Sequence, residues 1–159
     1  MRSIVRATPG QELKFEAEEG DALFVRSAAR AMQVLAAFHG VSGPLSLSEI
    51  VKLSGLDRSA SQRIVHTLTK LGYIRRSFDD RGYLPGIRLL DHTLDMLRLD
   101  PLVQKATPVL LELRRSLGER IDLSLFDDTR MIYAFRIQSK RETSYATLVG
   151  HSVPAYATA

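Results

Sequence analysis

Ser59, Gln62, Arg63, His66 and Lys70 recur at steps of three, one, three and four, which gathers them along one side of a helix. Ala60, Ile64, Leu68 and Leu71 recur at steps of four, four and three on the other side. A helix of this kind is anchored from behind and turns a wet, cationic face outward. Those side chains suit the edges of DNA bases: Gln62 can bond adenine bidentately, and Arg63 can reach guanine O6 and N7 or a phosphate. Ser59 is short enough to allow close approach. Arg58 stands at the helix start, where its charge and the free amides nearby can meet a phosphate. Arg75, Arg76 and Arg81 follow in a turn-rich segment and would add charge along a duplex without reading its sequence. With Ser61 and Thr67, the candidate DNA-binding residues are Arg58, Ser59, Ser61, Gln62, Arg63, His66, Thr67, Lys70, Arg75, Arg76 and Arg81.

The elements that must hold this face are legible around it. Ala28, Ala31, Met32, Leu35 and Phe38 have helical spacing, with Ser27 as a possible cap and Gly40 with Gly43-Pro44 as a stop. Ser46 and Glu49 fit a capping box for a second helix that buries Leu47, Ile50, Val51 and Leu53 and stops at Ser54-Gly55. Asp57 is placed to cap the third helix, and Gly72 to close it. The period then drops to two, and Tyr73–Ser77 and Tyr83–Pro85 flank the turn Asp79-Asp80-Arg81-Gly82 as a hairpin. Helix, helix, tight turn, helix and hairpin make a winged helix-turn-helix, in which two short helices present a third to the major groove.

Beyond the hairpin, Ile87, Leu90, Leu94 and Leu97 mark a helix at 87–99. Asp100-Pro101 restarts a helix to Leu117, which Pro108 should bend or interrupt. Ile121–Leu125, Met131–Ile137 and Tyr145–Val149 read as strands, the first two joined by a turn at Asp127–Arg130. From Val153 to Ala159 an apolar stretch follows with no finishing element. The expected domains are a tail at 1–22, the winged helix at 23–86, a linker helix at 87–99 and a further unit at 100–159.

The chain has 159 residues, 45% hydrophobic, and a net charge of +4. Residues 1–25 carry −2, residues 26–90 carry +6 and residues 91–159 are neutral, so the whole excess lies on the winged segment. A basic block beside a neutral one is what a domain that meets a polyanion shows. No apolar run reaches the roughly 18 residues of a membrane span, and with no apolar h-region after Met1-Arg2-Ser3 no secretory signal is expected. A cytoplasmic protein is expected. The absence of cysteine excludes disulfides, thiol catalysis and Cys-ligated zinc.

No HExxH, GxSxG, P-loop or Rossmann fingerprint accompanies the four histidines at 39, 66, 92 and 151. Asp79-Asp80 and Asp127-Asp128 fall in turns, where aspartate bonds its local backbone. His92 and Asp95, one turn apart, read as a surface pair. No catalytic residue, metal or cofactor is expected, and the chain is read as no enzyme.

Several segments resemble the IclR family of bacterial transcriptional regulators: Phe24–Ala31, Leu47–Val51, Ser54–Ser59, Arg63–Leu68, Leu71–Ile74, Tyr83–Pro85 into Arg88–Leu90, and Val149–Ala159. They run in order over residues 24–159 and are most similar to the branch controlling aromatic-acid catabolism. The resemblance implies an α+β chain: a winged helix-turn-helix, a linker helix and a GAF-like α/β effector domain. It implies double-stranded DNA as partner, dimers that can pair into tetramers, and response to a small organic acid. Family members continue past the small-residue run, so the effector domain is expected to be C-terminally truncated and incomplete, which weighs against effector binding.

A winged helix can instead serve protein assembly without DNA. The charge split argues against that use, because an assembly face would be apolar, and only Val65 could expose a large apolar group on the third helix. The apolar rows of the first and linker helices, Ala28 and Leu35 with Leu90, Leu94 and Leu97, exceed what a small core needs. They suggest a homodimer on a near-palindromic operator.

Overall fold

The computed structural model describes residues 21–127, 129–137, 149–150 and 152–157. The expected tail therefore lies outside the described residues except for its last two, as does the expected strand Tyr145–Val149 except for Val149. Two units divide at Asp91–His92, inside the segment expected to link them.

The first unit contains α1 (Arg26–Ala36), α2 (Leu47–Ser54), α3 (Arg58–Lys70), β1 (Ile74–Arg76) and β2 (Tyr83–Pro85). α2 starts as its sequence dictates. The Glu49 amide donates to Ser46 Oγ, and the Ser46 amide donates to the Glu49 carboxylate at 2.7 Å, closing the capping box. Gly55 ends α2 in the left-handed conformation, at φ 68°. Asp57 then caps α3, with Oδ1 accepting from the Ala60 amide at 2.8 Å. At the far end the Tyr73 amide donates to Leu68 O and the Gly72 amide to Thr69 O, a Schellman closure that needs the positive φ of Gly72.

Val34, Ala37, Phe38, Leu45, Ile50, Val65, Leu68 and Ile74 form the core of this unit. Fully burying a side chain such as Ile50 contributes about 1.5–3 kcal/mol. The phase of α1 differs from expectation. Its buried face is Gln33 and Val34, followed by Ala37 and Phe38, while Ala28 and Met32 are exposed. Ser27 does not cap it; the N-cap is Val25, which makes no side-chain bond. Leu71, expected inside, is also exposed, because the helix closes there and turns it outward.

β1 and β2 form an antiparallel hairpin, Arg76 opposite Tyr83, and Leu45 adds a single bridge to Tyr83 with both amide–carbonyl bonds formed. The approach is tight: a Cβ on Gly82 would lie 2.6 Å from Leu45 O.

α4 (Arg88–Leu99) spans the division and buries no residue. The second unit continues with α5 (Pro101–Leu117), β3 (Ile121–Asp127), β4 (Arg130–Ile137) and β5 (Ser152–Pro154). Asp100 caps α5, accepting from the Val103 amide at 2.9 Å. The helix runs through Pro108 rather than breaking. Pro108 and Gln104, whose carbonyl it cannot serve, are both exposed, so water can take the free acceptor. The strands form an antiparallel sheet in the order β3-β4-β5, with a bulge at Leu123/Ser124. β5 and the 3-10 turn Ala155–Ala157 lie where no finishing element was expected. Only three residues pair, with Arg130–Ile132, too short a run to leave a periodic signal.

Candidate nucleic-acid interface

On α3, Ser61, Val65 and Leu68 are buried, whereas Arg58, Ser59, Gln62, Arg63, His66, Thr67 and Lys70 are all exposed. Of the expected buried row Leu68 is in the core, but Ser61 and Val65 sit deepest, and Ala60 and Ile64 are half-buried at the edge. Ser61 therefore cannot be part of the exposed row. It is fully buried, and its Oγ has no hydrogen-bond partner. Its small size lets α3 lie close on its neighbours. Val65, the one large apolar group expected to be able to face out, is buried too.

The exposed side of α3 is electrostatically open. Among the described residues, no ion pair involves Arg58, Arg63, Lys70 or Arg75. Arg58 instead donates from Nη1 to Ser48 Oγ at 3.3 Å, joining the starts of α3 and α2. Thr67 bonds back to Arg63 O at 2.9 Å, which turns its methyl group outward.

The hairpin behaves otherwise. Arg76 lies over the Tyr83 ring, 4.4 Å from its centroid, and its Nη1 is 3.3 Å from Asp80 Oδ1. Arg81 Nε is 3.3 Å from Asp79 Oδ2. Hydrogen bonds from the Ser77 hydroxyl and the Arg81 amide hold the Asp79 carboxyl below its ordinary pKa. These aspartates lie in the turn as expected, but they also pair with two of the three wing arginines, which their place in a turn does not foretell. Between these arginines Asp80 takes a positive φ of 54°, which no spacing announces.

In the second unit, sequence reasoning also missed Arg136. It is nearly buried and donates from Nε and Nη2 to both Asp122 oxygens at 2.9 and 3.0 Å. Arg120 reaches the same carboxylate at 3.1 Å. The β3–β4 register, which sets Asp122 opposite Arg136, brings the pair together.

Residues 27–77 match the IclR helix-turn-helix domain, and residues 95–159 match the bacterial transcriptional regulator IclR C-terminal domain. The chain belongs to the IclR family. Among curated IclR-type relatives, the Pca regulon regulatory protein of Pseudomonas putida is 30% identical over 159 residues, 99% of this chain and 53% of its own length. The HTH-type transcriptional regulator XynR of Escherichia coli is 29% identical over 85% of this chain and 54% of its own. The crystal structure of an IclR family transcriptional regulator from Brucella abortus matches with a TM-score of 0.71 at 26% identity, covering 92% of this chain and 55% of that one. The chain thus spans about half the length of the relatives it matches. No helix among its described residues is long and apolar enough to cross a membrane.

Proposed function

We propose that this IclR-family chain is a sequence-specific regulator of transcription that binds double-stranded DNA through α3. The observation that carries the proposal is the open row on that helix. Ser59, Gln62, Arg63, His66 and Lys70 are exposed and, among the described residues, make no ion pair, backed by Ser61, Val65 and Leu68. In this reading Gln62 and Arg63 read base edges in the major groove, Arg58 and Lys70 meet phosphates, and the β1–β2 wing lies along the backbone. It has no catalytic role, needs no cofactor, and acts in the cytoplasm where its operator is.

Two copies would bind a near-palindromic operator about a two-fold axis, and dimers would pair into tetramers. Exposed Leu23, Val25 and Met32 around α1, and Leu90 and Leu94 on α4, support self-association. The second unit we take as part of an effector-binding domain for a small organic acid, an aromatic one, in keeping with the branch of the family that the sequence segments most resemble. Thermal-shift titration with aromatic carboxylates tests that part.

The DNA reading is tested by the salt dependence of duplex binding. Log affinity should fall linearly with log salt, with a slope of roughly −0.9 per phosphate neutralised. A chain that bound no duplex at low salt, yet captured protein partners, would fit an assembly module instead.

A further inference from the structure

Phe78 is fully exposed at the tip of the wing. It is not loosely held. Beside it Ser77 is buried, its amide donates to Gly82 O at 2.9 Å, and its Oγ accepts from the Gly82 amide at 3.1 Å. The Asp80 amide donates to Ser77 O at 3.1 Å. A turn pinned on both sides therefore holds an aromatic ring out into solvent. The charges around it are cancelled locally, Arg76 by Asp80 and Arg81 by Asp79.

We infer that Phe78 is an apolar DNA contact that enters the minor groove beside the major-groove site of α3, at a wing tip kept free of net charge by the two arginine–aspartate pairs. The inference rests on the DNA-binding reading above. A lone aromatic ring among charged neighbours is too small a patch for a protein interface. Single apolar side chains are, however, what minor-groove proteins wedge against base steps. Pairing the aspartates with arginines removes the repulsion that two carboxylates would otherwise feel from phosphates. The wing is placed for this role because Gly72 closes α3 directly into β1, and the Gly86 amide bonds back to Tyr73 O at 2.8 Å.

The test uses a duplex selected by the wild-type chain from a random-sequence pool, with 2-aminopurine at its flanking steps, and a random duplex of equal length. Phe78→Ala should weaken binding to the selected duplex about tenfold with an unchanged salt slope, because an apolar contact releases no counterions. Phe78→Leu should keep most of the affinity, and the 2-aminopurine signal should rise with the wild type but not with Phe78→Ala. Affinity within twofold of wild type for Phe78→Ala would overturn the inference, as would a change confined to sedimentation of the DNA-free chain, which would assign the ring to a second copy. If Arg63→Ala loses preference for the selected duplex while Phe78→Ala does not, the contact falls and the DNA reading stands. If the wild type binds no duplex, both fall.

Discussion

Gly86 passes so close over Gly72 that a Cβ on Gly86 would lie nearer to the Gly72 carbonyl oxygen than the 3.0 Å that real Cβ atoms respect. Gly72 ends the exposed helix and Gly86 ends the wing, so this contact sets the angle between the two parts proposed to meet DNA. Gly86→Ala should cost about 1–3 kcal/mol by overpacking and weaken duplex binding, read by urea unfolding and by fluorescence anisotropy. An alanine variant as stable as the wild type would show that the backbone can give way there.

Ser61 offers a prediction of opposite sign. Its hydroxyl is buried without a partner, and an unsatisfied buried polar group costs roughly 1–3 kcal/mol. Ser61→Ala should raise stability, by up to about 1 kcal/mol after the small void is counted, and leave duplex affinity within twofold. Loss of DNA binding without loss of stability would restore Ser61 to the interface.

Much of the first unit was legible because its signals are local. Ser46 with Glu49, Asp57, Gly55 and Gly72 each fix a helix end through bonds spanning a few residues. What escaped depends on partners distant in sequence or on exact helix phase. On α1 and just past it, tertiary packing buried Phe38 of the expected stripe together with Val34 and Ala37, and left Ala28 and Met32 outside. Ser61 is polar by type but lies on the face that packs. Arg136 and Asp122 meet only through strand register, and β5 exists only through its pairing with β4. The exposed row of α3 needed none of this, since a regular helix places Ser59, Gln62, Arg63, His66 and Lys70 together whichever residues lie behind them.

The Arg136–Asp122 pair should be a stability determinant of the second unit. Asp122→Ala strips a nearly buried guanidinium of its only described carboxylate contact, and breaking a buried pair from one side costs about 3–5 kcal/mol. Replacing both residues with apolar ones of similar volume should cost less than the single change. Equal unfolding midpoints for Asp122→Ala and the wild type would contradict a structural role.

Stability should also depend on pH through Glu49. Bonds from the Ser46 hydroxyl and amide lower its pKa, so the folded form holds a proton less readily than the unfolded one. The contribution is present above the unfolded carboxyl pKa and is lost as pH falls through the depressed folded value. Glu49→Gln should flatten the acid limb of the thermal unfolding profile by that increment. An identical acid limb in the variant would argue against the capping box as its source.

The wing arginines should not be equivalent. Arg75 has no ion-pair partner among the described residues, whereas Arg76 is held by Asp80 and Tyr83. Arg75→Ala should weaken all duplexes alike and reduce the salt slope by about 1, while Arg76→Ala changes the slope less. Equal slopes for the two variants would mean that the Asp80 pair opens on DNA.

The central claim is that the outward side of α3 reads bases. Its most direct measurement is the affinity of Gln62→Ala and Arg63→Ala for a selected duplex relative to a random one. The account predicts that each variant loses roughly 1–3 kcal/mol of that discrimination with unfolding midpoints unchanged. Discrimination equal to the wild type in both variants would contradict it.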